Sequence, residues 1–295
     1  MTFRGDVSRS SGRARTGGRR GGLIVGGGGV GTLVLVGLFL LLGGSPGDVG
    51  NLLGGGDQQQ LDPGTDTGGL EHCQTAEDAN TYADCRVAAT ALSLDQVWGE
   101  QLPAQAGLEY TEPGLMIFEQ STSSGCGAAS AATGPFYCPT DQTAYFDVSF
   151  FEQLEQLGGE NAPLAQEYIV AHEFGHHLQH LEGTLGMSDY NNPGADSNAV
   201  KIEVQADCYG GVWAHYADDG ADALLETITP DQVADAIATA GAVGDDNIQN
   251  RSGGEVTPET WTHGSSEQRQ QAFLAGYESG AMSACDTLDR GGYRK

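Results

Sequence analysis

The sequence predicts an α+β domain standing behind a single apolar segment near its N-terminus. Three observations lead there. Residues 23–42, LIVGGGGVGTLVLVGLFLLL, carry no charge at all. Two short β-rich runs, GLMIFEQ at 114–120 and TAYFDVSF at 143–150, come early in the remaining chain. Stretches of helical periodicity then follow one another from 161 to 280. Strands followed by a series of helices are the pattern of an α+β arrangement whose sheet is built first.

Residues 1–22 read as a basic cytoplasmic segment. Six arginines fall within the first 20 residues, against the single acid Asp6. The apolar run 23–42 is long enough, as a helix, to span roughly 30 Å, the hydrocarbon thickness of a bilayer. It is long for the core of a signal peptide, and no A-x-A cleavage site follows, so it reads as an uncleaved transmembrane helix. The arginines before it place the N-terminus in the cytoplasm and the remainder outside, giving a single-pass protein of the cell membrane. Residues 43–70 are rich in Gly, Asp and Gln and read as a flexible linker. The folded domain is expected over 71–295.

Within that domain, 81–102 shows helical spacing, and the strands at 114–120 and 143–150 flank a small-residue loop, GCGAASAATGPFYCP, at 125–139. FFEQLEQL begins a helix at 150. The strongest helix is 161–183, with Asn161 as candidate cap, Pro163 near the first turn and Gly183 as terminator. Helices over 199–218, 231–244 and 265–280 follow, the last opened by Ser265 with Gln268 at capping-box spacing.

The chain has 13 basic and 40 acidic residues. Beyond residue 20 the balance is seven against 39, a net charge of −32. That predicts a self-repelling outer domain and argues against nucleic acid or an anionic membrane surface as partner. All six cysteines lie beyond residue 70, and an even number outside the cytoplasm reads as disulfides. No CxxC pair occurs, which argues against a cysteine-built zinc site. Six cysteines allow 15 pairings. Proximity favours Cys73–Cys85 and Cys126–Cys138, which leaves Cys208–Cys285.

Four of the seven histidines fall in AHEFGHHLQH, 171–180. Inside it, His172-Glu173-Phe174-Gly175-His176 is an H-E-x-x-H. On a helix, residues four apart share one face, so both imidazoles can meet one Zn²⁺ ion with the glutamate beside its water. Zinc lowers the pKa of such a water towards 7, and a neighbouring carboxylate can take its proton. A third protein ligand is needed. The metzincin spacing fails, since Gln179 and Glu182 stand where Gly and His are required. His180 lies roughly 12 Å along the helix from His172, too far to share the ion. Glu203 and Asp207 are again four apart on a predicted helix, with Glu203 as candidate ligand and Asp207 placed to hydrogen-bond a ligating imidazole. An exposed acidic stripe is the alternative. Their neighbours Val204, Ala206, Cys208, Val212 and Trp213 argue against it, because a carboxylate in an apolar setting needs partners.

His172-Glu173-x-x-His176 followed by Glu203-x-x-x-Asp207 resembles the gluzincin metallopeptidases. With SGCG…TGPFYCPTDQTAYFD, QADCYGGVWA and THGSSEQR, the chain more closely resembles the bacterial neutral zinc metallopeptidase family, over roughly residues 71–285. One small departure is Val204, where Leu is expected. The resemblance implies a zincin-like fold, one zinc ion held by His172, His176 and Glu203, and Glu173 as general base; it implies little about the substrate, which the peptidase reading expects to be a peptide or protein. It also directs attention to His263. Gluzincins commonly stabilise the oxyanion with a histidine or tyrosine from a later segment, a donor aimed at developing charge. Arg269 on the following helix is either a helper or the partner of an acid. By fold analogy, the strand bearing Tyr145 and Phe146 is a candidate edge for an added substrate strand.

The expected function is a zinc-dependent endopeptidase acting outside the cytoplasm. The alternative is a non-catalytic, membrane-tethered binding domain with a structural zinc. Glu173 counts against it, since a structural site needs no base there. A zinc hydrolase of non-peptide amides would use the same ligand set.

Overall fold

The computed structural model describes residues 2–17, 69–119, 121–130 and 133–293. The expected transmembrane run 23–42 lies outside the described residues, as does the expected linker except for Gly69 and Leu70. Among the described residues no helix is long and apolar enough to cross a membrane.

The elements in chain order are β1 (Arg15–Gly17), α1 (Ala76–Thr81), α2 (Ala83–Gln105), β2 (Gly114–Phe118), β3 (Ser121–Ser124), β4 (Gly127–Ser130), β5 (Phe136–Cys138), β6 (Thr143–Asp147), α3 (Phe150–Leu157), α4 (Pro163–Glu182), α5 (Asn198–Tyr216), α6 (Pro230–Ala242), α7 (Asp245–Arg251) and α8 (Ser266–Ser279). The result is α+β, with a small sheet and a helical body. The sheet runs β1-β2-β6-β5, and β3 and β4 form a separate hairpin. β2 is parallel to β1 and β6, while β5 is antiparallel to β6. β6 is therefore interior, and the expectation that the Tyr145–Phe146 strand forms an edge is corrected. The edges are β1 and, beside β6, β5, which lies within the stretch 125–139 expected as loop.

Helix α4 is the axis of the fold. Fifteen of its 20 residues are buried, so it has no solvent face, and each polar side chain on it must find a partner. Pro163 occupies its first turn, and Gly183 ends it with φ at 71°. Asn161 does not cap it. Ala162 takes the cap position without a side-chain bond, and Asn161 Oδ1 accepts from Gln166 instead. Ser197 caps α5, and Ser265 with Gln268 forms the expected capping box on α8.

α5 packs on α4 and α8 through backbone contacts that only glycine allows. A Cβ on Gly175 would meet the Cα and carbonyl oxygen of Ala206 at 2.9 Å. A Cβ on Gly276 would sit 2.0 Å from the carbonyl oxygen of Cys208. Around these contacts Trp98, Tyr168, Tyr209, Trp213 and Phe273 are fully buried. All three disulfides pair as proximity suggests: Cys73–Cys85, Cys126–Cys138 and Cys208–Cys285.

The largest departure from expectation is at the N-terminus. Residues 1–22 read as a segment apart from the domain, yet residues 2–17 are packed into it. Phe3, Val7 and Ala14 belong to the hydrophobic core. Arg13 is paired with Asp95 at 2.6 Å. β1 adds a strand to β2, with Arg15 opposite Met116 and Gly17 opposite Phe118. The acid that pairs with Arg13 stands 82 positions further along, out of reach of any local reading of the sequence.

Candidate metal centre

The three expected ligands converge. His172 and His176 project from one face of α4, one turn apart, and Glu203 reaches them from α5. His172 Nε2 lies 3.3 Å and His176 Nε2 3.7 Å from Glu203 Oε2. One ligand atom from each of the three lies within 4.8 Å of those of the others. Such spacing suits a first-row ion bound at about 2 Å by each ligand.

The outer nitrogens show that the inner ones are free to bind. His172 Nδ1 lies 2.7 Å from Asp207 Oδ1, and an ionised carboxylate only accepts, so Nδ1 carries the proton. His176 Nδ1 lies 2.9 Å from Gln179 Oε1. Gln179 Nε2 donates to the Ile202 carbonyl at 2.7 Å, which fixes the amide so that its oxygen faces His176. When neutral, each imidazole thus presents its Nε2 lone pair inward. The donor set, two neutral imidazoles and a carboxylate, fits zinc.

Asp207 is itself held. Arg269 donates to both of its oxygens, at 2.8 and 2.9 Å, and the Tyr168 hydroxyl donates to Oδ1 at 2.5 Å. Arg269 therefore pairs with an acid, and it also lines the cleft that holds the ligands. Tyr168, four residues before His172, is missed by the sequence reading although its spacing puts it on the ligand face.

Electrostatics follow from burial and partners. Burial opposes ionisation of Asp207, but Arg269 and His172 outweigh it and hold its pKa below the ordinary value. Burial likewise opposes Glu203, and the two histidines override it. Burial alone would lower His172; Asp207 and Glu203 raise it instead, to about 10. Glu173 is raised, chiefly by burial.

The ligands lie in the wall of a cleft of about 560 Å³. Its sides include Phe136 and Tyr137 of β5, Ile169 of α4, Tyr190, and Val243 and Ile248 near α7. His263 also lines it. The Asp245 carboxylate receives the backbone N–H groups of Thr262, His263 and Gly264 at 2.9, 2.7 and 3.0 Å, and lies 3.2 Å from His263 Nδ1. With Nδ1 held, Nε2 is the nitrogen left for the cleft. Burial lowers the pKa of His263, and Asp245 with Glu203 reverses this and raises it. Tyr190, also missed, donates to Glu203 Oε1 at 3.2 Å. It comes from a turn, and nothing local in the sequence points it at the site.

Of the other histidines, His177, His72 and His215 have structural partners. His177 is buried between the Tyr137 hydroxyl and the Thr111 carbonyl, and burial lowers its pKa to about 4. His180 lines the cleft. His72 pairs with Asp84, and His215 Nδ1 lies 2.7 Å from the Tyr277 carbonyl.

This architecture, a helix-borne histidine pair completed by a carboxylate from the next long helix, is consistent with the zincin-like class. Residues 5–288 match the family described as "Putative neutral zinc metallopeptidase", and the chain belongs to that family. It is 46% identical over 261 residues to the uncharacterized protein Rv2575 of Mycobacterium tuberculosis, covering 84% of each chain. It is 37% identical over 203 residues to the uncharacterized protein YpfJ of Escherichia coli, covering 67% of this chain and 69% of that one. No solved structure matches the chain.

Proposed function

We propose that the protein is a zinc-dependent endopeptidase whose domain works outside the cytoplasm. The observation that carries the reading is the convergence of His172 Nε2 and His176 Nε2 on Glu203 Oε2 in the wall of a cleft, with Glu173 on the same helix face. Three disulfides among the described residues support an oxidising compartment. A bound zinc ion would polarise the substrate carbonyl and acidify a water.

The chain's own residues supply the rest. Glu173, with its proton affinity raised by burial, takes a proton from the attacking water and gives it to the leaving nitrogen. His263 presents Nε2–H to the carbonyl oxygen as charge develops there, held in place by Asp245. Asp207 fixes the tautomer of His172, and Arg269 with Tyr168 fixes Asp207. The apolar sides of the cleft exclude water around the scissile bond.

The test compares wild type with Glu173→Gln in the full-length chain, measuring metal content and cleavage of an unstructured protein such as casein. One zinc per chain in both, with cleavage lost by at least 100-fold in the variant, is expected. Equal cleavage by both forms would remove Glu173 from the mechanism. Bound zinc with no cleavage by wild type would favour the binding-domain alternative.

A further inference from the structure

The two flanks of the apolar run meet on one surface. Gly17 ends β1, and the described chain resumes at Gly69, where a Cβ would come within 2.6 Å of the Thr16 side chain. Before that point, residues 2–17 are fastened at three places along the domain. At the start, Asn80 Oδ1 accepts from the backbone N–H groups of Thr2 and Phe3 at 2.9 and 3.0 Å, and Asn80 Nδ2 donates to the Phe3 carbonyl at 3.0 Å. There Phe3 also bridges Leu225, with Arg4 N donating to the Leu224 carbonyl and Glu226 N to the Thr2 carbonyl, each at 2.7 Å. In the middle, Val7 and Ser10 are each 1% exposed, and Arg13 grips both oxygens of Asp95. At the end, β1 completes the sheet.

The first fastening reaches the helix that carries the ligands. The Thr2 hydroxyl donates to Glu167 Oε1 at 2.5 Å, and Glu167 lies five positions before His172 on α4. The other Glu167 oxygen and Arg86 Nε are buried without a hydrogen-bond partner, so this socket is already short of partners with Thr2 in place.

We infer that residues 2–17 form an integral part of the metal-site domain and lie on the same side of any membrane as that domain. A single crossing by 23–42 would set Arg13 and Asp95 about 30 Å apart across hydrocarbon, whereas they pair at 2.6 Å. A return crossing would have to use residues 43–68, which carry Asp48, Asp57, Asp62 and Asp66. Carboxylates at that density do not enter a bilayer core unpaired. Among the described residues before the apolar run, Arg4 and Arg13 serve as fastenings. This holds whether or not the cleft hydrolyses peptides.

The test uses the full-length chain in unextracted membranes of the expressing cell. A Cβ on Gly17 lies 3.7 Å from the Thr122 Cβ, close to the mean separation in a disulfide. Gly17→Cys with Thr122→Cys is oxidised mildly, and the digest is searched by mass spectrometry for a peptide joining the two positions. Bridging in most molecules is expected; its absence overturns the inference. Should the pair perturb folding, Arg9→Cys and Glu278→Cys, both exposed, are reacted separately with a membrane-impermeant maleimide on intact cells. The two positions are expected to react alike, both labelled or both protected. Labelling of one alone overturns the inference.

Discussion

Glu167 and Asp207 are both 0% exposed, yet their carboxyl groups move in opposite directions. Burial penalises the charge of each. Asp207 answers with Arg269 across both oxygens, and with Tyr168 and His172 on Oδ1. It stays ionised and so can hold the His172 tautomer. Glu167 has the Thr2 hydroxyl on one oxygen and no partner on the other, with Arg86 near enough only to attract it. Its pKa rises to about 7. Neighbouring positions on α4, 167 and 168, thus face two differently satisfied networks. The difference lies in donor count, since depth is the same. A saturated buried carboxylate can position a ligand, whereas a half-satisfied one costs stability near neutral pH.

The largest expected effect comes from unpairing the saturated group. Arg269→Met leaves Asp207 buried without its cation, and a loss of about 3–5 kcal/mol of stability is expected in denaturant titration. A loss under 1 kcal/mol would mean that the other donors suffice. Next, Asp207→Asn should weaken zinc binding roughly 10–100-fold in competition with a chelator, because the support on His172 Nδ1 is altered. Glu167→Gln should leave that affinity unchanged, which separates the two networks directly.

The smallest effect is a gain. Between pH 4.5 and about 7 the folded chain keeps the Glu167 proton that the unfolded chain has released. Stability therefore falls as pH rises through that window and is flat above it. A shift of this size corresponds to about 3 kcal/mol at most, offset by whatever attraction to Arg86 is lost. Glu167→Gln is expected to be more stable than wild type by roughly 1–2 kcal/mol at pH 8 and equal to it near pH 4. Parallel pH profiles for the two proteins would show that Glu167 is not the group responsible.

What the sequence makes legible follows from range. His172 with His176, Glu203 with Asp207, and Ser265 with Gln268 are pairs within one helical turn, so spacing alone places them. The long helices are readable because their ends are marked, by Pro163 and Gly183 on α4 and by Ser265 and Gly280 on α8. β5 is three residues long and offers no period to detect. α7 is opened by Asp245, whose carboxylate serves a loop 17 to 19 positions away. The arm has apolar residues at 3, 7 and 14 without a strand or helix rhythm, and its partners lie beyond the apolar run. Tyr168 is a different case, since its distance of one turn from His172 could have been read as support for the site.

The contact between Gly175 and Ala206 works as a mechanical gauge. It lies between His172 and His176 on one helix and between Glu203 and Asp207 on the other, and backbone touching backbone sets the gap there, with no adaptable side chain between. A side chain in that gap would act as a shim. Gly175→Ala adds one methyl group where only 2.9 Å is free, while metal–ligand distances tolerate about 0.2 Å. The substitution favours the helix by intrinsic propensity, yet it would drive the carboxylate jaw of the site away from the imidazole jaw. The glycine within H-E-F-G-H is thus a dimensional tolerance written into the motif, specifying the width at which the two helices close.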